Sequence, residues 1–358
     1  MRILGIESSC DETAASVVED GFRLLSNVVS SQIDIHMAYG GVVPEIAARS
    51  HIEAILPVIH SALDESKSSW NEIDGIAVTY GAGLIGSLMI GTLTARVLSL
   101  IHNKPLYAIN HVEGHVYANF ITSSSIPGYE LPTYQPEFPL LAIIVSGGHT
   151  QLVLFKNHFD YVLLGRTRDD AIGEAFDKVA KILGLPYPGG PSISNSAIGA
   201  DPEFYRLPIA KLDTKYDFSF SGLKTAVLRA AQSEIGEDYS FPSHRVSERL
   251  SEAQKKSFSA SFQHVAVKAV VDKAMLAFEE FQPKSVVIAG GVASNQELRR
   301  QLSERLPIVI NYTDPRLCTD NGAMIATLGC FVAKIKPNSS ISQVSNPLNL
   351  IVKPNLSM

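Results

Sequence analysis

The stretch Ile3-Leu4-Gly5-Ile6-Glu7-Ser8-Ser9-Cys10-Asp11-Glu12-Thr13 opens a chain of 358 residues and decides its fold. Residues 3–7 are typical of a buried strand, residues 8–11 of a turn, and the apolar run 13–18 of a returning strand. Residues 24–29 predict a third strand. The same order of strand, short polar turn, strand and strand begins again at residue 140. The repeat predicts a duplicated α/β fold, although strands before turns occur in any α/β protein.

Each copy of this pattern is followed by helices and by an apolar strand that ends in glycines. These strands are expected at residues 76–81 and 286–291. Two similar lobes would then face one cleft, each offering a hairpin turn to it. We expect residues 1–117 to form an N-terminal lobe that is completed by about 315–335, and residues 139–314 to form a C-terminal lobe. A linker loop rich in Ser, Pro and Tyr is expected at 118–138, and an irregular tail at 336–358.

Composition excludes several classes of protein. Hydrophobic residues make up 46% of the chain and charged residues 18%, so a disordered, collagen-like or coiled-coil chain is excluded. Three cysteines without a C-x-x-C pair suit a reducing compartment. Neither a signal peptide nor a transit peptide is recognisable, and the apolar stretch 82–101 contains three glycines and Arg96, which favours a buried helix over a membrane span. We therefore expect a cytoplasmic protein. The net charge of −6 argues weakly against a nucleic-acid partner.

Two histidines four residues apart, His111 and His115, would project from one face of a helix and can ligate one metal. Glu113 makes the pattern H-x-E-x-H, whereas a zinc protease needs H-E-x-x-H, so that class is disfavoured. A third ligand is required, and Asp320 in Cys318-Thr319-Asp320-Asn321-Gly322 is the candidate. An incidental histidine pair, and a helix N-cap for Asp320, remain open alternatives.

Two glycine-containing turns are candidate ligand loops. Ser146-Gly147-Gly148-His149-Thr150 lies between two apolar strands, where successive backbone N–H groups can hold an anion. A plain hairpin turn is the alternative there. Gly290-Gly291-Val292-Ala293-Ser294-Asn295 leads from a strand into a helix, a position that suits a nucleotide phosphate. Neither is a P-loop, because no G-K-[ST] follows.

Eight motifs in chain order carry a resemblance to one family. They are Gly5-Ile6-Glu7-Ser8-Ser9-Cys10-Asp11-Glu12-Thr13; Gly40-Gly41-Val42-Val43-Pro44-Glu45-Ile46-Ala47-Ala48-Arg49; His111-Val112-Glu113-Gly114-His115; Ser146-Gly147-Gly148-His149-Thr150; Gly173-Glu174-Ala175-Phe176-Asp177-Lys178; Tyr187-Pro188-Gly189-Gly190-Pro191; Phe218-Ser219-Phe220-Ser221-Gly222-Leu223-Lys224-Thr225; and Thr319-Asp320-Asn321-Gly322-Ala323-Met324-Ile325-Ala326. The chain resembles the bacterial TsaD family, the tRNA N6-adenosine threonylcarbamoyltransferases once labelled glycoprotein endopeptidases, over about residues 3–335.

The resemblance implies an actin-like ATPase fold with mixed sheets flanked by helices. It implies one divalent metal, iron(II) or zinc with iron(II) favoured, held by His111, His115 and Asp320. It also implies transfer of a threonylcarbamoyl group from threonylcarbamoyl-AMP to N6 of the adenosine 3′ of the anticodon, in tRNAs that read ANN codons, to give t6A. ATP or AMP would occupy the same nucleotide site, whose residues would be Ile144, Val145, Ser146, Gly147, Gly148, Asp177, Gly190 and Asn295.

The chemistry of this transfer suits the residues. The acyl phosphate already carries a good leaving group, so alignment and stabilisation of negative charge are the main tasks. A general base is not evident, and Asp11 and Glu12 are candidates only because the first hairpin turn should face the cleft. A small-molecule kinase or carbamoyltransferase of the same fold, or a non-enzymatic scaffold of a tRNA-modifying complex, are the alternatives.

The resemblance also implies partners. They are tRNA, a TsaB-like paralogue, a TsaE-like P-loop ATPase, and a TsaC-like enzyme that supplies the adenylate; a homodimer is the alternative assembly. Because tRNA docking needs only a local basic face, or one supplied by a partner, the net charge of −6 predicts weak binding of tRNA by the isolated chain.

Overall fold

The structure is a computed structural model that describes residues 1–335 and 344–358. The strands are β1 (Arg2–Glu7), β2 (Glu12–Glu19), β3 (Arg23–Leu24), β4 (Val28–Ser31), β5 (Gly75–Gly81), β6 (Leu106–Asn110), β7 (Ser123–Ser124), β8 (Leu140–Val145), β9 (Thr150–Asn157), β10 (Asp160–Arg166) and β11 (Ser285–Ala289). The helices are α1 (Ile33–Met37), α2 (Pro44–Glu65), α3 (Ile85–His102), α4 (His111–Tyr117), α5 (Ile172–Leu183), α6 (Gly189–Ser196), α7 (Ser221–Glu234), α8 (Ser243–Val246), α9 (Glu252–Phe281), α10 (Gln296–Arg305), α11 (Pro315–Cys318) and α12 (Gly322–Ile335).

The chain forms two compact units. The first comprises Met1–Pro136 and Asn311–Met358, and the second comprises Glu137–Ile310. Residues 118–136, which we expected within a linker, therefore group with the first unit. Of the expected tail, residues 336–343 lie outside the described part of the chain, and residues 344–358 carry one short 3-10 turn.

The first unit is built on a mixed sheet with the strand order β6-β5-β1-β2-β3-β7, in which β4 also pairs with β2. Strands β1 and β2 are antiparallel, while β5 runs parallel to β1. The single third strand predicted at 24–29 is wrong, because β3 and β4 are separate short strands on β2. Between them the Ser26 hydroxyl accepts from the backbone N–H of Val17 at 3.0 Å, and the Asn27 side chain accepts from the Ser16 hydroxyl at 2.7 Å. The backbone N–H groups of Leu25 and Ser26 both donate to the Val17 oxygen, at 2.9 and 3.3 Å, so a bulge together with these side-chain bonds interrupts the regular ladder and divides the strand.

Helix α12 packs directly on β1 and β2. A Cβ atom on Gly5 would lie 2.2 Å from the backbone oxygen of Gly322, so only glycine allows this close approach. The contact matters for the site, because the first residue of α12 follows Asp320 by two positions.

Helix α3 has two different faces. Its small residues and Leu88 are buried, whereas Ile85, Met89 and Leu93 are each more than half exposed. The expectation of a buried helix therefore holds for one face only. By length and apolar composition, α3 is the one helix in the described ranges that could cross a membrane, and 33% of it is buried within the protein.

The second unit repeats the strand pattern of the first. Its sheet has the order β10-β9-β8-β11, with β9 antiparallel to β8 and β11 parallel to β8. The same relation joins β2, β1 and β5 in the first unit. A capping box at Ser251 and Gln254 starts the long α9 helix. The predicted α/β class with mixed sheets and a repeated hairpin is confirmed.

Candidate metal centre and glycine loops

Helix α4 begins immediately after β6 and carries both candidate histidines. The Asn110 side chain caps it by accepting hydrogen bonds from the backbone N–H groups of Val112 at 2.9 Å and Glu113 at 3.4 Å. All seven residues of α4 are buried. His111 and His115 lie one turn apart with their ring centroids 4.6 Å from each other, as the spacing predicts.

Asp320 lies between α11 and α12, beside these two rings. Its Oδ1 atom is 3.6 Å from Nε2 of His111 and 3.2 Å from Nε2 of His115. The ligand atoms of the three residues all lie within 4.8 Å of one another. The side chain of Asn321, rather than that of Asp320, accepts from the backbone N–H of Met324 at 3.0 Å and so caps α12. The structure thus brings the three predicted ligands together in the first unit.

The donors fit a divalent cation. Among the residues that the structure describes, Nδ1 of the buried His115 has no hydrogen-bond partner, and Nε2 has only the carboxylate of Asp320 nearby, 3.2 Å away and outside hydrogen-bond geometry. A buried imidazole without partners is costly unless a further group satisfies it. Burial lowers the pKa of His111, but the carboxylates of Asp320 and Glu7 outweigh it and raise that pKa to about 9. The negative charge of these carboxylates also attracts a metal cation, which displaces the proton of His111 when it binds.

The turn between β1 and β2 carries the two candidate bases of the first unit. Burial and the nearby carboxylates of Asp320 and Asp11 raise the pKa of Glu12 well above its usual range. His51 holds this turn in place, because its Nε2 donates to the backbone oxygen of Cys10 at 3.0 Å. Glu12 is therefore within electrostatic reach of Asp320, one of the candidate metal ligands, and Asp11 lies next to it in the chain.

The turn at residues 146–150 follows β8 in the second unit. The backbone N–H of His149 donates to the Ser146 hydroxyl at 3.1 Å, which closes the turn. Gly147 and Gly148 are exposed and have open space where a Cβ would stand. The start of α5 touches this turn, because a Cβ on Gly173 would lie 2.6 Å from the backbone oxygen of Ser146. The two glycines thus leave room for a ligand at a helix N-terminus.

The other predicted nucleotide residues also lie in the second unit. Asp177 accepts the backbone N–H of Gly189 at 2.7 Å and so ties α5 to the start of α6, where Gly190 has open space around it. The Asn295 amide donates to Ser194 at 3.1 Å and to Gln263 at 3.0 Å. Asn295 also caps α10 by accepting from the backbone N–H of Leu298 at 3.0 Å. These contacts join the start of α10 to α6 and α9, and the start of α6 to α5.

The comparison with known families decides the identity. The model of the family TsaD, tRNA N6-adenosine threonylcarbamoyltransferase, matches residues 23–327. The chain belongs to the TsaD family. A relative from Thermomicrobium roseum with that enzyme name is 48% identical over 342 residues, which cover 93% of this chain and 92% of the relative. One from Dehalococcoides mccartyi is 49% identical over 331 residues, which cover 92% and 93%.

This TsaD family member is an acyltransferase that forms t6A in tRNA, as the motifs predicted. Its fold is the predicted actin-like ATPase fold. A solved structure of full-length HypF in the phosphate- and nucleotide-bound form aligns with a TM-score of 0.55 at 14% identity, over 95% of this chain and 47% of that one. The likeness concerns the fold alone.

The sequence analysis did not identify Glu7 and Ser9, the two residues that contact Nδ1 of His111. Glu7 ends β1 and is completely buried, and its Oε2 lies 3.2 Å from Nδ1 of His111. The Ser9 hydroxyl is 3.1 Å from the same nitrogen. A signal was present, because a carboxylate at the end of an otherwise apolar strand is unusual in a core.

Proposed function

We propose that this chain transfers the threonylcarbamoyl group from threonylcarbamoyl-AMP to N6 of the adenosine 3′ of the anticodon in ANN-decoding tRNAs, with a divalent metal held by His111, His115 and Asp320. The convergence of these three ligand atoms within 4.8 Å, in a chain of this family, carries the proposal. Two imidazoles and one carboxylate are the donor set of many iron(II) sites with open positions and also of catalytic zinc sites, and we propose iron(II) with zinc as the alternative. When bound, the metal supplies Lewis-acid polarisation of a carbonyl or phosphoryl oxygen.

In the second unit we assign the nucleotide and acyl-adenylate to Ile144, Val145, Ser146, Gly147, Gly148, Asp177, Gly190 and Asn295. The backbone N–H groups of Gly147 and Gly148 would hold the phosphate or the oxygen that becomes negative as the carbonyl is attacked. The start of α5, which touches this turn, adds its positive dipole end. ATP or AMP would occupy the same place.

The reaction forms one bond and breaks one. The adenine N6 attacks the carbonyl carbon, a C–N bond forms, and the C–O bond to the phosphate of AMP breaks. The proton lost by N6 goes to a base, for which Glu12 and Asp11 are the candidates. The raised pKa of Glu12 supports it, since a carboxylate that binds protons more tightly is a better base.

The test is a reconstituted transfer. The metal-loaded chain is incubated with threonylcarbamoyl-AMP, unmodified ANN-decoding tRNA and its partner proteins, and t6A is measured by mass spectrometry. We expect t6A with the unaltered chain and a loss of at least about 100-fold with His115→Ala. Full activity of His115→Ala would support the scaffold alternative, and saturable phosphorylation of a small molecule without tRNA would support the kinase alternative.

We further propose that the chain works in the cytoplasm with a TsaB-like paralogue and a TsaE-like P-loop ATPase, while a TsaC-like enzyme supplies the adenylate. The exposed apolar face of α3 supports a protein partner, because Ile85, Met89, Leu93 and Val97 recur every four residues on it. The TsaB-like paralogue is the proposed occupant, and a homodimer is the alternative. Leu93→Glu should abolish co-elution with the paralogue; unchanged co-elution would contradict this assignment, and a loss of self-association instead would identify the homodimer.

We also propose boundaries for the two lobes of the chain. We assign 1–117, with about 315–335, to the N-terminal lobe and 139–314 to the C-terminal lobe, joined by 118–138 and followed by the tail 336–358. The grouping of residues into two units with a repeated strand order supports the two lobes, whereas residues 118–136 and 311–314 group with the first unit.

A further inference from the structure

The carboxylate of Glu7 is held from three sides. Its Oε1 accepts the backbone N–H of Ser9 at 2.5 Å, and its Oε2 accepts the Thr79 hydroxyl at 2.5 Å. Its Oε2 also lies 3.2 Å from Nδ1 of His111. None of the carboxylate is exposed to solvent. Glu7, at the end of β1, is therefore held by Thr79 of the adjacent parallel strand β5 and by the backbone of the turn that follows β1.

The burial of a full carboxylate here requires an explanation. Across the described residues, the cationic partner of Glu7 is His111, and no Lys or Arg forms an ion pair with it. A glutamine of the same shape would avoid much of the cost of burying a charge. The negative charge is therefore useful to the ring that it contacts.

The geometry determines which nitrogen of His111 faces the candidate metal centre. In a neutral His111, the form that can bind a metal, Nδ1 faces the carboxylate, carries the hydrogen and donates it to Glu7. The lone pair is then on Nε2, which points to Asp320 at 3.6 Å. A carboxylate behind a ligating histidine fixes the ring and makes it a better ligand.

We propose that Glu7 is the positioning residue of the metal centre: it holds His111 with Nε2 free for the cation. The inference rests on the proposed metal centre at His111, His115 and Asp320. In Glu7→Gln, an amide N–H₂ facing Nδ1 would favour the hydrogen on Nε2, where it would block the metal, because only the Ser9 hydroxyl, 3.1 Å from Nδ1, would remain to accept a hydrogen from Nδ1. If the amide oxygen faced Nδ1 instead, the N–H₂ group would oppose the N–H of Ser9.

The test measures zinc binding in the full-length protein by competition with a chromophoric chelator. We expect Glu7→Gln to weaken zinc binding by 10- to 100-fold, in line with other carboxylates behind metal-bound histidines. It should also change the visible absorption spectrum of the cobalt(II)-loaded protein. Thr79→Val is the matched control, because it removes another hydrogen bond to the same Oε2 atom and leaves the contact with His111.

The outcomes separate the two proposals. Zinc affinity and a cobalt spectrum unchanged in Glu7→Gln would overturn the role of Glu7, as would equal weakening in Thr79→Val. If Glu7→Gln does not fold, Glu7→Asp replaces it in the test. Aspartate retains the charge but is shorter by one methylene group, so an unaltered cobalt spectrum in Glu7→Asp would also overturn the role of Glu7. If His115→Ala and Asp320→Asn bind zinc as the unaltered chain does, the metal centre itself is wrong.

Discussion

The packing of β1 on α12 predicts that Gly5→Ala harms both stability and the metal centre. A Cβ on Gly5 would lie 2.2 Å from the backbone oxygen of Gly322, 2.4 Å from the backbone nitrogen of Ala326 and 2.8 Å from its Cβ. Real Cβ contacts are essentially never shorter than 3.0 Å, so β1 and α12 must separate by about 0.8 Å. Overpacking of a core costs about 1–3 kcal/mol, and we expect about 3 kcal/mol here because two of the contacts are with backbone.

The same movement displaces Asp320, which precedes α12 by two residues. Its Oδ1 atom is 3.2 Å from Nε2 of His115 before the change, so a separation of helix and strand alters the distances between ligands. We expect the melting temperature to fall by roughly 5–10 °C and zinc affinity to fall with it. Differential scanning calorimetry and chelator competition measure the two effects.

Gly222→Ala provides the control for Gly5→Ala. A Cβ on Gly222 meets nothing within 4 Å, and the residue lies in α7. Because alanine is the better helix former, this change should be neutral or stabilise the protein by up to about 1 kcal/mol. A Gly5→Ala protein with the melting temperature and zinc affinity of the unaltered chain would refute the argument from close packing.

Two further predictions concern buried histidines. In the metal-free protein, burial lowers the pKa of His111, but Asp320 and Glu7 raise it to about 9, so its contribution to stability is complete below pH 6.5 and is lost as the pH rises through about 9. Urea unfolding at pH 6, 8 and 10 should show this decline, and a decline of the same size in His111→Gln would contradict it. His51→Leu removes a 2.7 Å hydrogen bond to Thr13, as well as the bond to the β1–β2 turn. The free energy of unfolding in urea should therefore fall by about 2–4 kcal/mol. A decrease below about 0.5 kcal/mol would show that these bonds do not hold the turn.

The central strands and the shared helix face of the two histidines could be predicted, because they depend on residues close together in the sequence. The runs 3–7 and 140–145 are apolar over a strand's length, and both are central strands of their sheets. His111 and His115 share a helix face because their spacing matches one helical turn. The division of the third strand at Ser26 and Asn27 was missed, since it depends on an irregular pairing with β2, in which Leu25 and Ser26 share the oxygen of Val17, rather than on apolar periodicity.

The parts that depend on distant contacts could not be predicted from local patterns. The contact between Glu7 and His111 joins residues 104 apart in the chain. Asp320 was predicted as a metal ligand from the motif around it, because its separation from His115 along the chain does not indicate how close the two residues lie in space. The exposed face of α3 was missed because an apolar helix has the same composition whether it packs within its own lobe or against a partner.

Anomalous diffraction from zinc-loaded crystals tests the central claim most directly. Data on either side of the zinc absorption edge should give one strong peak in the first unit, about 2.0–2.2 Å from Nε2 of His111, Nε2 of His115 and a carboxylate oxygen of Asp320. In Asp320→Asn crystals soaked in the same way, the peak should be weaker or absent. A zinc peak elsewhere in the chain, with none among these three side chains, would contradict the proposed metal centre.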